Sequence, residues 1–466
     1  MASQDSDAAP RDAGSYHDVY ALTGGLRGQL KALVALGDVA GIDALMAPLH
    51  PADIADLLEQ VSDAERAAWL ALWSRGIDGD VLSDLDWGLR EEVIALLPDD
   101  VLADAVRDLD SDDVVDLVED LEDAQIEAIL DVLDPSDRVA VEQALAYPEE
   151  SAGRLMQREV VHAPEHWTVG DMIDHLRRDK ANLPEQFYHV VLTDPRLKPV
   201  GYVTLGRLLS APRNTALKTI TEDSFRTIPA TQHEDDVAYA FNQYHLISAP
   251  VVDGDGRLVG VITIDDAMTV LDQAAGEDLL KLAGVGEESS LSDRVLETTR
   301  QRFPWLMVNL ITAIVASGVI AQFEQALAQI VALAVLMPIV ASMGGNAGTQ
   351  SLTVAVRALA TRDLTRSNLL RVVWREGVVG LINGVAFAVV MGLVGFLWFS
   401  SPALGAVIAA AMVINLLVAG LAGIVIPVLL DRLKIDPALA SGAFVTTVTD
   451  VVGFLAFLGL ATLVLL

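Results

Sequence analysis

The chain has 466 residues, 52% of them hydrophobic, and carries 65 acidic against 31 basic residues, a formal net charge of -34. Such an excess of carboxylate repels nucleic acid and anionic membrane surfaces, and it favours divalent cations or basic partners. No cysteine is present, which excludes a disulfide framework and any thiolate metal site.

Apolarity and charge separate along the chain. From Gln301 onward there are 6 acidic and 8 basic residues, which leaves 59 acidic and 23 basic before it, a net of -36. An acidic soluble half is therefore expected to precede a membrane half. Residues 1–19 lack the apolar core and small-residue cleavage site of a signal peptide and are expected to be a disordered cytoplasmic tail. Residues 20–150 alternate apolar i, i+3, i+4 patterns with short acidic turns such as Pro98-Asp99-Asp100 and Asp110-Ser111-Asp112-Asp113, which predicts an all-α stack of short helices. Asp112, Asp113 and Asp116 fall on one helical face; a charge run of this kind is usually a solvated surface and is otherwise a cation site.

Residues 151–271 contain an internal repeat. Val200-Gly201-Tyr202-Val203-Thr204-Leu205 recurs 59 residues later as Val259-Gly260-Val261-Ile262-Thr263-Ile264, each after a β-rich run and before a helical pattern. A duplicated small α/β module is expected. Residues 272–300 read as a polar helical connection.

A membrane-spanning helix needs about 20 mostly apolar residues. Residues 301–466 offer 21 uncharged residues between Arg302 and Glu324, 32 between Glu324 and Arg357, and 54 between Glu376 and Asp431. The last run is interrupted by the turn signal Ser400-Ser401-Pro402 and divides into two helices. With the stretch from Pro437 to Leu466, five spans are predicted. Arg and Lys cluster before span one, between spans two and three, and between four and five, while the alternate connections have none. That pattern places the N-terminus in the cytoplasm and the C-terminus outside.

Asp450 is the ionisable side chain well inside a span, about 20 Å along the last helix from Pro437. An isolated carboxylate there costs roughly 3 kcal/mol or more and must face protein, water or a cation. Thr446 and Thr447 share its face, although Thr often bonds back to its own helix. Span two carries the polar, glycine-rich run Ser342 to Ser351, with Asn346 about 16 Å from Arg357, close to the depth of Asp450. Gly344 and Gly345 either permit close helix packing or mark irregular backbone whose freed carbonyls line a water-filled path. One carboxylate per chain neutralises a divalent ion poorly; two copies about a twofold axis match its charge, so a homodimer is expected.

The motifs RFPWL (Arg302–Leu306), MGGNAGTQS (Met343–Ser351), DPALASG (Asp436–Gly442) and TTVTD (Thr446–Asp450) resemble those of the MgtE family of magnesium channels. The likeness runs from about His50 to the C-terminus. It implies Asp450 as the main selectivity-filter acid, with Asn346, the carbonyls of Gly344 and Gly345, and Thr446 around it, and Asp436 at the cytoplasmic mouth. Ala443 stands where relatives commonly have proline. The repeat resembles a tandem CBS pair, whose second copy has the Gly260, Thr263, Asp266 pattern for nucleotide ribose and phosphate, whereas the first has Arg207 at the aspartate position. By the same resemblance ATP is expected at the second copy alone. Regulatory Mg²⁺ would bind Asp112, Asp116, Asp265 and Asp266, together with Glu277 and Asp278 of a plug helix, in which Thr269 and Ala274 replace common acids. The family implies passive Mg²⁺ influx across a bacterial inner membrane, shut by cytosolic Mg²⁺. No nucleophile constellation or phosphate-binding lysine motif suggests an enzyme. The rivals are a proton-coupled transporter and a nucleotide sensor with a mere membrane anchor.

Overall fold

A computed structural model of the chain describes residues 24–466 apart from 108, 120, 122, 181–182, 185, 223–224 and 286–294. The expected tail, 1–19, lies outside the described residues. The chain divides into two compact units, one ending at Leu271 and the other formed by Asp272–Leu466.

The first unit opens with ten α-helices among the described residues: α1 (Gly24–Leu36), α2 (Val39–Met46), α3 (Pro51–Gln60), α4 (Asp63–Trp73), α5 (Gly79–Ser83), α6 (Trp87–Leu96), α7 (Asp99–Arg107), α8 (Ser111–Glu119), α9 (Asp123–Leu130) and α10 (Pro135–Leu145). Helices this short depend on their ends being satisfied. Asp38 accepts from the Gly41 N–H at 3.0 Å and Asp78 from Val81 at 3.0 Å, while His50 with Asp53 and Ser62 with Glu65 form capping boxes. Their apolar faces close over one core that includes Trp69, Leu57, Leu82 and Ile129. Two arginines are buried in this stack and act as carbonyl clamps. Arg66 donates to the Leu58 carbonyl at 3.0 Å, and Arg90 donates to the carbonyls of Ser83 (3.0 Å) and Asp116 (3.1 Å).

The repeat folds as two three-stranded sheets. The first copy has β1 (His162–Pro164), α11 (Val169–Arg178), β2 (His189–Thr193), β3 (Pro199–Thr204) and α12 (Leu205–Ser210). The second has β4 (Ile228–Pro229), α13 (Glu234–Tyr244), β5 (Ser248–Val252), β6 (Leu258–Thr263) and α14 (Ile264–Leu282). In each, the first strand runs parallel to the second and the second antiparallel to the third. Even the register slip is duplicated, at Leu192/Thr193 and again at Val251/Val252. The segment entering the first copy pairs with the second instead: Gln157 bridges Val261, Ser151 bridges His233, and Ala152 and Met156 are buried in the second copy's core.

The second unit holds α15 (Val295–Ala321), a short α16 (Glu324–Gln329), α17 (Val331–Ala360), α18 (Leu369–Phe399), α19 (Pro402–Arg432) and α20 (Pro437–Leu465). All but α16 contain a span long and apolar enough to cross a membrane. The division of the long apolar run follows from its turn residues. Ser400 takes a left-handed φ of 53°, Ser401 caps α19 by accepting from the Leu404 N–H at 3.3 Å, and Pro402 occupies the first turn, where its missing N–H costs nothing. The central α19 packs against α17, α18 and α20. Small residues let α18 and α19 approach closely: Gly380 lies against the Leu416 carbonyl and Gly384 against the Val413 backbone. One expectation is corrected here. The backbone from Ser342 to Ser351 is not irregular, because α17 runs unbroken through Pro338 and the glycines, so that run stays inside a regular α-helix. Without water in the bilayer, a helix that satisfies its own backbone groups wins over the weak helical propensity of glycine.

Candidate functional site

In the second unit the residues of α17 sort by chemistry. Leu336, Val340, Gly344, Gly348 and Leu352, four residues apart, are buried against the other helices, while Ser342, Asn346, Thr349, Gln350 and Thr353 are exposed on the outside of the five-helix unit. A polar stripe facing hydrocarbon would be costly. Gly344 is a packing residue: a methyl there would meet the Asn415 side chain of α19, which supports the bland reading sequence left open. The Gly345 carbonyl accepts the Thr349 hydroxyl at 2.9 Å, and α17 is continuous at both glycines, so neither carbonyl is freed by a break in the helix.

Asp450 on α20 is only partly buried, and Thr446, one turn earlier, is exposed. Thr447 takes the ordinary course, donating to the Ala443 carbonyl at 2.6 Å. The mutual register of α17 and α20 follows from their close approaches. Gly344 and Gly453 both abut Asn415, and Gly348 abuts Val445 and Thr449. The two helices are therefore antiparallel here, and Asn346, midway between Gly344 and Gly348, lies level with Asp450. The depths counted separately from Arg357 and from Pro437 agree with this register.

At the other end of α20, Asp436 caps the helix, its Oδ1 accepting from the Ala438 N–H at 2.7 Å. Its Oδ2 lies 3.3 Å from Lys281 Nζ on α14, and the same ammonium lies 3.1 Å from Glu277. Leu282, the last residue of α14, packs against Leu352, Val356, Ala438 and Val445. Glu277 and Asp436, singled out separately in sequence, are thus joined through one lysine; Asp278 is partly buried beside Glu277. Part of the expected connecting helix, 286–294, lies outside the described residues.

In the first unit, α8 brings Asp112 and Asp113 to its N-terminal turn, where both are partly buried. Burial and the nearby Asp266 carboxylate push Asp112 well above the usual range and Asp113 to about 7. Burial raises Asp266 to about 6, against the opposing pull of its hydrogen bonds from Thr263. Asp116, grouped with Asp112 in sequence, is exposed and drawn to Arg90 at 2.8 Å. Sequence reasoning gave no site role to Asp110, Glu159 or Gln157, yet they complete this seam: Gln157 donates to Asp110 at 3.3 Å and the Ser111 hydroxyl to Glu159 at 2.9 Å. The density of acids around Ser111 was the available signal. Among the described residues no three His, Asp or Glu side chains already converge as a formed metal site.

The nucleotide-pattern residues are engaged otherwise. The Thr263 hydroxyl donates to Asp265 and, at 2.8 Å, to Asp266, and Asp266 also accepts the Thr263 N–H at 3.3 Å, so the group caps α14. In the first copy Arg207 turns onto its own loop, 2.8 Å from Glu222 and 2.7 Å from the Thr221 carbonyl. A cavity of about 450 Å³ in the second copy is lined instead by Phe225, Arg226, Thr227, Gln232 and Tyr244, with the Arg226 guanidinium 3.7 Å above the Tyr244 ring.

Residues 49–150 match the MgtE intracellular N domain, 152–214 and 217–273 the CBS domain, and 337–460 the MgtE divalent cation transporter family. The "Magnesium transporter MgtE" of Thermus thermophilus is 32% identical over 444 residues, covering 92% of this chain and 96% of its own. The chain belongs to the MgtE family. Its Bacillus subtilis relative of the same description is 29% identical over 91% of this chain and 94% of its own length. Among solved structures, the cytosolic domain of the Mg²⁺ channel MgtE in complex with ATP covers 52% of this chain and 99% of its own, with 28% identity and a TM-score of 0.48. The chain is thus a multi-pass membrane member of a magnesium transporter family, with an N-terminal helical domain, a CBS pair and five apolar helices.

Proposed function

We propose that the chain is a Mg²⁺-selective channel that passes the ion passively into the cytoplasm across a bacterial inner membrane, as a homodimer with its N-terminus inside and its C-terminus outside. The observation that carries this reading is the exposed polar face of α17, level with Asp450 on α20. A second copy placed against that face would shield it from lipid and bring two Asp450 carboxylates to one axis, matching a divalent charge. Mg²⁺ sheds its water reluctantly, so Asn346, Thr446 and paired carboxylates suit an ion gripped through its hydration shell.

Closure would come from the cytoplasmic side. Mg²⁺ at Asp112, Asp116, Asp265 and Asp266 would relieve repulsion within the acidic seam, and Glu277, Asp278 and Asp436 would take part at the pore mouth. An adenine nucleotide would find a ring partner and a cation at Tyr244 and Arg226 more readily than at Thr263 and Asp266, which already cap α14.

The reading is tested in liposomes containing the full chain and a trapped Mg²⁺ dye. Flux should follow the Mg²⁺ gradient and the membrane potential and be unchanged when the proton gradient is collapsed; a requirement for the proton gradient would replace the channel by a coupled transporter. The contact of α14 gives a second expectation. Lys281→Met removes the ammonium that holds Asp436 and Glu277, so residual flux at millimolar cytoplasmic-side Mg²⁺ should rise several-fold over wild type, with flux at low Mg²⁺ little changed.

A further inference from the structure

Asn415 lies in the middle of α19, wholly buried among apolar and small residues. Its Nδ2 donates to the Val340 carbonyl of α17 at 2.7 Å, and its Oδ1 is enclosed with no hydrogen-bond donor. It fills the space left by two glycines on two different helices: a methyl at Gly344 of α17 or at Gly453 of α20 would stand 2.8 Å or 3.1 Å from Oδ1. Gly344 is two residues from Asn346, and Gly453 three from Asp450.

Packing alone does not account for an amide here. Leucine has similar volume and brings no unpaired oxygen, which is costly to bury. The Val340 carbonyl lies within α17, where it can already accept from its own helix, so the amide rescues no orphan group. A polar side chain kept inside a span at such a cost marks function.

We propose that Asn415 is a positioning residue for the ion path: a strut fixed to α17 by its amide N–H and seated against α20 at Gly453, which sets the spacing of Asn346 and Asp450 and so the discrimination between Mg²⁺ and larger divalent ions. It stands behind the polar residues and does not touch the ion. The proposal rests on the reading of Asn346 and Asp450 as pore residues.

The test uses the full chain in liposomes, with Mg²⁺ and Ca²⁺ fluxes measured separately and melting followed in detergent. Asn415→Leu should melt at or above the wild-type temperature, since it removes the unpaired oxygen, and the Mg²⁺:Ca²⁺ flux ratio should fall about tenfold, the equivalent of one hydrogen bond's contribution. A ratio equal to wild type, with both fluxes intact or scaled alike, overturns the proposal. Should Asn415→Leu yield no folded channel, Asn415→Ser decides by the same ratio, because its short hydroxyl cannot span to Val340. Asp450→Asn run in parallel separates the two ideas: if it leaves flux intact, the pore reading fails; if it stops flux while the Asn415 variants keep wild-type selectivity, only the strut fails.

Discussion

Asp450→Asn should abolish Mg²⁺ flux while leaving the protein as stable as wild type, or more so. The substitution keeps the shape of the side chain and removes its charge. If each of two carboxylates attracts the hydrated divalent ion through its water shell, losing about 3 kcal/mol of cation stabilisation lowers flux by roughly a hundredfold. Stability should move the other way, because an ionised group at mid-depth is itself costly. Dye-reported flux and detergent melting on the same preparation check both halves. Retained flux in a well-folded variant would remove Asp450 from the ion path, and lost flux with a collapsed melting temperature would reduce it to a structural acid.

The second large effect is expected in the acidic seam at α8. Asp112, Asp113 and Asp266 all have carboxyls held above their usual range, with Asp113 near 7 and Asp266 near 6. A carboxyl whose folded-state pKa is raised favours the fold when protonated, so this stabilisation is complete below about pH 4 and is lost as pH rises through 6 to 7. At pH 8, without metal, the ionised acids should destabilise the seam by roughly 2 kcal/mol or more. A divalent cation can take the place of the missing protons. Trypsin offers a direct assay, since Arg154 and Arg158 lie in this seam, where the Arg158 N–H donates to Ser111 at 2.8 Å and Arg154 pairs with Glu119. In the full chain, cleavage after these residues, expressed relative to an unfolded reference peptide at the same pH so that trypsin's own pH dependence cancels, should be fast at pH 8 without metal, slow at pH 8 with millimolar Mg²⁺, and slow near pH 6 with or without it. Asp112→Asn with Asp113→Asn should flatten the dependence on both pH and Mg²⁺. Cleavage insensitive to Mg²⁺ at pH 8 in the wild type would detach this seam from cation sensing.

Much of the architecture could be read from sequence because it rests on local periodicity. Uncharged runs bounded by charged residues defined the spans, Ser400-Ser401-Pro402 marked a turn with the right caps, and the 59-residue repeat reappeared down to its register slip. The depth match between Asn346 and Asp450 was legible because helical rise is constant. Long-range relations were not. Nothing local to Ser342–Ser351 announced that the helix would continue, since that depends on the absence of competing water. Lys281 reads as one more surface lysine until Asp436, more than 150 residues later, is brought beside it. Asp113 looks like Asp112 in sequence, and only burial separates them from Asp116, which Arg90 holds at the surface. Asn415 had one visible signal, an amide in a run of 54 uncharged residues that holds just one other, Asn383, and its meaning needed Gly344 and Gly453, which come from two other helices.

The crossing of the chain at Gln157 has a practical and a mechanical consequence. Because the leader into the first CBS copy is stitched to β6 and buried beneath the second copy, the two modules cannot be cut apart at residue 215 without stripping Ala152 and Met156 from the half left behind. Val261, the residue bridged to Gln157, is three positions before α14 begins. A displacement of the helical stack therefore reaches the start of α14 through a single rung of backbone hydrogen bonds, bypassing the whole of the first copy.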